Sequence, residues 1–296
     1  MRKATFLFLA VGALLAACEK EVVGVKLPGS ERQLVVNCLI SPDDQYITAF
    51  VARSRPVFGD RDLADTLVED ATVTLSDGTL TIQLLYDDSQ QAYLYEPAAG
   101  SSPLFTIVPG RSYTLGVTTP RGEAATAACT VPAALEVPPT VFADSAREAY
   151  HDGYYYRMRM SWPDPPGRVN YYRAAGWLEE VTSQNQDGTS VNWRSAPVDW
   201  RAEETISDAG QDGQLLVSPW GNWRGRYSYE TSLRTSINAH LLHTDRHYYH
   251  YHRSVRRAKQ SQANPFAEPV LIYSNVTGGL GVFGAYTRTT AIVRIK

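Results

Sequence analysis

Cysteine is scarce, three in 296 residues, and no C-x-x-C pair is present. G-x-S-x-G and H-E-x-x-H are also missing, so the local signatures of thiol redox, serine-hydrolase and zinc-protease chemistry are absent. No catalytic residue is assigned, and the chain is read as non-enzymatic, with no cofactor. Carboxylates do occur side by side, as Glu179-Glu180 and Glu203-Glu204, but adjacent residues of a strand point to opposite faces and cannot act jointly. No excess of positive charge exists either. The formal net charge is −3, which gives no case for nucleic-acid binding, a function that favours strongly basic faces. After residue 17 no apolar run approaches the roughly 20 residues that a membrane-crossing helix needs.

What is present begins at the first residues, "MRKATFLFLAVGALLAAC". Arg2 and Lys3 precede an apolar stretch from Phe6 to Ala17. That stretch is too short to span a bilayer and suits a secretory signal. It ends in Leu15-Ala16-Ala17-Cys18, which resembles the bacterial lipobox. Residues 1–17 are therefore expected to be a lipoprotein signal peptide and Cys18 the lipidated first residue of the mature chain. Loss of Arg2 and Lys3 with the leader takes the net charge from −3 to −5. Residues 18–30 read as a lipidated tether. Its Glu19-Lys20-Glu21 run is similar to the signal that sends lipoproteins of the Bacteroidota to the cell surface. Attachment to the outer membrane is then by lipid, at Cys18, not by a helix or barrel.

Residues 31–132 consist of short alternating runs rich in Val, Thr, Tyr and Leu, from "QLVVNCLI" through "SYTLGVTT" to "EAATAACTV". Turn signals such as Ser76-Asp77-Gly78 and Pro109-Gly110 separate them. About seven strands in roughly 100 residues predict an immunoglobulin-like β-sandwich. Tyr113 follows the Gly110 turn at the start of a strand, where such sandwiches bond a tyrosine hydroxyl to nearby backbone. Alternation sends Cys38 and Cys129 toward the core. They are a possible disulfide between the first and last strands, or two buried free thiols. The Pro-rich stretch 133–140 reads as a linker.

Residues 141–296 form an aromatic-rich β domain that holds all six tryptophans. "YYYRMRMSW" and "NYYRAAGWLEEV" read as strands and "TSQNQDGTS" as a hairpin-like loop. The fold class is thus mainly β, a sandwich followed by a second β-rich domain with one helix near residues 245–260. Thr244 or Asp245 would cap that helix, with Tyr248, Tyr251 and Val255 on one face and Arg253, Arg256, Arg257 and Lys259 mostly outside it. Five histidines lie between His240 and His252. They read as the polar side of an amphipathic helix, and no metal ligand is assigned. "SPWGNWRGRY" sets Trp220 and Trp223 beside Arg224 and Arg226, a possible partner or ligand contact, because exposed tryptophans stack on sugars or anchor interfaces.

"GGLGVFG" contains G-x-G-x-x-G at Gly279, Gly281 and Gly284, the spacing of a dinucleotide fingerprint. That fingerprint requires a helix next and an acidic residue beyond. Here a strand-like "AYTRTTAIVRIK" comes next, so the glycines are expected to permit positive φ or a close approach between strands. The longer stretch "NPFAEPVLIYSNVTGGLGVFGAY", Asn264 to Tyr286, resembles the signature of domain-of-unknown-function family 4249, outer-membrane lipoproteins of the Bacteroidota. The elements N-P-F-x-E-P, Y-S-N and G-G-x-G-x-F-G-x-Y all occur. "VEDATVTLSDG", "GRSYTLGV" and "ACTVP" agree as well, so the resemblance covers nearly the whole mature chain.

Members of that family are typically encoded beside TonB-dependent outer-membrane receptors. The resemblance therefore implies a lipid-anchored, cell-surface accessory of a TonB-dependent transporter, with that barrel as partner and an unknown ligand. It supplies no catalytic residues, and Cys38 and Cys129 are not expected of it as an obligatory pair. Phe266, between two prolines that disfavour helix before them, would plug the core or face the barrel. The alternative is a free-standing surface glycan- or peptide-binding lipoprotein, an adhesin.

Overall fold

A computed structural model describes residues 32–55, 66–97, 104–147, 154–183, 191–200, 204–224, 232–262, 268 and 270–295. In β1 (Leu34–Ile40) the side chains of Leu34, Val36, Cys38 and Ile40 are buried and those between them half-buried, because successive residues of a pleated strand face opposite sides. The same alternation builds β2 (Ile47–Arg53), β3 (Thr72–Ser76), β6 (Ser112–Thr118) and β7 (Ala124–Thr130), whereas β4 (Thr81–Asp87) buries Leu84 alone and β5 (Ala92–Tyr95) buries the neighbours Ala92 and Tyr93. These are the strands that the sequence runs announce. β4 is shared: Thr81–Leu84 pair with β3, whereas Leu85–Asp87 pair with β5. The antiparallel path therefore runs β1-β2-β5-β4-β3-β6-β7, and the inward side chains of all seven strands meet in one core. Tyr113 behaves as expected: its hydroxyl accepts from the Val108 N–H at 2.8 Å and donates to the Thr106 carbonyl at 3.0 Å.

A second core lies between two further sheets. β9 (Tyr154–Pro163) pairs with β8 (Thr140–Arg147) on one side and with β13 (Leu215–Val217) and β14 (Gly221–Arg224) on the other. Opposite stand β10 (Tyr171–Ser183), β11 (Val191–Pro197), β12 (Thr205–Ser207) and β15 (Ser232–Thr244). Met158, Met160 and Trp162 of β9 pack against Tyr172, Ala174, Leu178, Ile237 and Leu241 of the facing sheet.

The last strand, β16 (Leu280–Arg294), links the two units. Leu280–Ala285 run parallel to β1, and Tyr286–Arg294 run antiparallel to β15. Phe283 and Ala285 accordingly sit in the first core. The class is mainly β with large sheets, and α1 (Arg246–Gln262) is the single helix among the described residues. No described helix is long and apolar enough to cross a membrane.

Asp245 caps α1, accepting the Tyr248 N–H at 2.7 Å, the role of an N-cap carboxylate. The helix face differs from the expected one. Tyr248 and Tyr249 are the buried pair, while Tyr251 and Val255 are half-buried. Tyr249 lies 4.7 Å from Tyr171 and Tyr248 5.5 Å from Tyr286, ring centre to ring centre. Arg256 also turns inward, donating to the Trp200 carbonyl at 2.7 Å. Packing on β10 through Tyr171 and on β16 through Tyr286 selects this face, which helical periodicity alone does not resolve.

Asn275 fastens the segment before β16. Its amide nitrogen donates to the carbonyls of Phe283 at 2.8 Å and Ala128 at 3.2 Å, and its oxygen accepts the Phe283 N–H at 3.0 Å. Asn275→Ala leaves these backbone groups without their partner, so it should destabilise the chain by about 2–3 kcal/mol. Urea unfolding of the two proteins side by side checks this.

Candidate functional site

Period-two geometry puts Arg157 and Arg159 on the face of β9 opposite Met158, Met160 and Trp162. Both arginines reach Trp220, which is half-buried between β13 and β14. The guanidinium of Arg157 stands 4.5 Å from the centre of the Trp220 ring and that of Arg159 4.9 Å. Phe142 of β8, paired across the ladder with Arg159, meets Trp220 edge-on at 5.8 Å and remains 53% exposed. Asp144 holds Arg157 through two bonds of 2.7 and 3.1 Å. Each cation–π contact contributes about 0.5–1 kcal/mol at an exposed site, enough to hold the indole in one orientation. The result is a fixed amphipathic surface that offers flat apolar area next to guanidinium donors.

The structure separates the two tryptophans that the sequence joined. Trp223 sits inside β14 on the same side as Gly221 and is buried in the second core beside Trp200 and Val198. Its place as a surface contact is therefore corrected, because inward alternation begins at Gly221. Trp220 stands outside that strand and stays at the surface. The backbone of Arg224 ends β14, while its side chain lies outside the described residues, as do Cys18, Arg226 and Phe266. Arg157, Arg159 and Phe142 were missed, although the alternation Arg-Met-Arg-Met in "YYYRMRMSW" already places two arginines on an outer face.

Cys38 and Cys129 are free thiols in the first core. Burial pushes Cys38 up to about 12 and Cys129 well above the usual thiol value. Both are therefore inert, protonated core residues at neutral pH.

The histidines are occupied by structural contacts. His243 stacks on Tyr172 at 5.1 Å, with Nδ1 at 2.8 Å from the Ala133 carbonyl and Nε2 at 3.2 Å from the Asn170 side-chain oxygen. Nδ1 of His247 lies 2.7 Å from the Tyr273 hydroxyl, and Nδ1 of His240 2.8 Å from the Thr290 hydroxyl. Burial lowers all three, and it brings His252 down to about 3. His243, Asp245, His247 and Cys129 line a cleft of about 520 Å³ where β7 meets the start of α1. Within it the thiol is protonated and the two imidazoles are bonded to backbone, amide or phenol groups.

No curated protein matches the chain. Its sequence matches the family described as domain of unknown function (DUF4249) over residues 20–292, and the chain belongs to that family.

Proposed function

We propose that this chain is a lipid-anchored, non-catalytic outer-membrane protein that works as the accessory of a TonB-dependent transporter or receptor. The lipobox ending at Cys18 and the acidic run behind it support the anchor and the cell-surface location. The observation that carries the contact role is the cluster of Phe142, Trp220, Arg157 and Arg159. Aromatic and arginine side chains held rigid at a surface are the composition of interface hot spots. The order β1-β2-β5 and β3-β6-β7, bridged by β4, supports reading residues 31–132 as an immunoglobulin-like sandwich that spaces this surface from the anchor.

The test is to tag the C-terminus, extract outer membranes in mild detergent and identify what co-purifies. A TonB-dependent barrel at stoichiometric yield is the expected result. A lone lipoprotein, recovered repeatedly even after crosslinking, would sink the proposal. Trp220→Ala combined with Arg159→Ala should lower the recovered barrel at least about tenfold, the effect of losing one hot spot. The thermal midpoint should hardly move, since these groups contribute little to either core.

A second reading, a free-standing glycan- or peptide-binding adhesin, is favoured by the outer face of the β10–β11–β15–β16 sheet. There Trp177, Trp193 and Ile292 are exposed, and Arg234 lies 5.0 Å from the Trp193 ring centre. Binding to a glycan array by the full chain, with no barrel captured, would select this reading.

A further inference from the structure

Two loops at one end of the second unit bring three aspartates together. Asp164 lies in the turn between β9 and β10, and Asp208 and Asp212 lie in the loop between β12 and β13, "DAGQDG". One carboxylate oxygen from each falls within 4.8 Å of the others. Asp164 and Asp208 are buried, 4% and 2% exposed, whereas Asp212 is open to solvent.

The surrounding groups fix most of these oxygens. Asp164 Oδ1 accepts from the Tyr172 hydroxyl at 2.6 Å and from the Asn170 amide at 3.3 Å, and its Oδ2 accepts the Gly213 N–H at 3.0 Å. Asp212 accepts the Gly167 N–H at 2.9 and 3.1 Å. Asp208 Oδ2 accepts the Asn170 N–H at 2.9 Å, but Asp208 Oδ1 is buried without a hydrogen-bond partner. A buried carboxylate oxygen left bare beside two other carboxylates is a costly arrangement unless a cation occupies the space between them. Arg168 does not supply that charge directly, since its Nε is turned to the Asn170 side-chain oxygen at 3.2 Å.

We propose that Asp164, Asp208 and Asp212 bind a divalent cation, calcium, with Asp208 Oδ1 as its buried ligand and water completing the shell on the Asp212 side. The donor set is all oxygen, which suits a hard cation and not zinc or copper. Ligands about 2.3–2.6 Å from calcium stand at most about 4.6–5.2 Å apart, a limit that the three oxygens meet. The loop is bent for the purpose by Gly210 and Gly213, with φ of 81° and 70°.

Position gives the ion a function. β12 pairs with Tyr171–Arg173 of one sheet and β13 with Ser161–Pro163 of the other. A cation between them ties the two sheets together.

The full chain, stripped with EDTA and dialysed, should be titrated with calcium chloride and, separately, magnesium chloride while its thermal midpoint is followed. At about 100 times the dissociation constant calcium should raise the midpoint by about 5–10 °C, and magnesium by much less. Asp212→Asn keeps an exposed, foldable loop and should weaken calcium binding at least about tenfold. Asp208→Asn should abolish the response and stabilise the calcium-free chain. Terbium in the site should luminesce on aromatic excitation through Tyr172, and calcium should quench that signal. No shift up to about 10 mM calcium, ten times the weak end of extracellular sites, would overturn the proposal. An undiminished shift in both variants would also overturn it, and an equal shift with magnesium would overturn the calcium assignment.

Discussion

Gly281→Ala is expected to abolish folding. Gly281 has φ of +114°, and a Cβ there would lie 2.0 Å from the Val36 carbonyl oxygen and 2.9 Å from the Val36 nitrogen. Neither atom can move aside alone, because both are backbone of the parallel ladder that joins Val35–Ile40 to Leu280–Ala285. The conformation alone costs an L-residue about 1–3 kcal/mol. The clash adds the separation of β1 from β16, together with the packing of Phe283 and Ala285 in the first core. The sum exceeds about 5 kcal/mol, comparable with the whole stability of a typical domain. Soluble yield and the urea midpoint are the measurements.

Two controls separate crowding from backbone conformation. Gly122 also has positive φ, +82°, but an added Cβ would meet nothing within 4 Å, so Gly122→Ala should cost only about 1 kcal/mol. Gly284 has no positive φ, and its Cβ would stand 3.0 Å from the Tyr248 nitrogen and 3.2 Å from Asp245 Oδ1. Gly284→Ala should therefore shift α1 slightly, at about 1–2 kcal/mol. A Gly281→Ala protein as stable as Gly122→Ala would refute the close-approach account.

The glycines also show where reading a sequence succeeds. The residues after Gly284 continue a strand, as their alternation announces, and the three spaced glycines serve three close approaches: to Leu34, to Val36 and to the start of α1. Local patterns were legible in β1–β3, β6 and β7 because one buried face imposes a period of two there. The helix start was legible too, since an Asp cap is a local event. Non-local events left no trace in the pattern. The parallel pairing of β16 with β1 joins residues some 245 apart, and nothing in "GVFGAY" states which strand lies beside it. Trp220 and Trp223 are three residues apart, yet one is surface and the other core, a difference set by where β14 begins. Asp164, Asp208 and Asp212 are inconspicuous in sequence because two separate loops have to meet before they form a cluster.

Asp245→Asn should remove a pH dependence from the stability of the chain. Burial raises the Asp245 carboxyl from its ordinary 3.8 to about 7, outweighing the Tyr248 N–H bond and the neighbouring Arg246 charge, and its Oδ2 is buried without a hydrogen-bond partner. Between about pH 4 and 7 the folded chain holds a proton here that the unfolded chain has released. The contribution of this group is therefore fully present below about pH 4 and is lost as pH rises through 7, by up to about 4 kcal/mol. His240, His243, His247, His250 and His252 act in the opposite direction. Their values are lowered by burial, so their stabilisation is present above pH 6.5 and declines as pH falls. The two trends overlap in the native protein, and only the difference between native and variant isolates Asp245. Asparagine keeps the oxygen that accepts the Tyr248 N–H, so the cap survives. Urea unfolding at intervals from pH 4 to 8 should find the two proteins nearly equal at pH 4 and Asp245→Asn the more stable by up to about 4 kcal/mol at pH 8. Asp245→Ala, which loses the cap, should carry an extra penalty of about 1 kcal/mol at every pH. A difference that stays flat across the range would mean that the carboxyl titrates normally and that α1 starts on an ordinary charged cap.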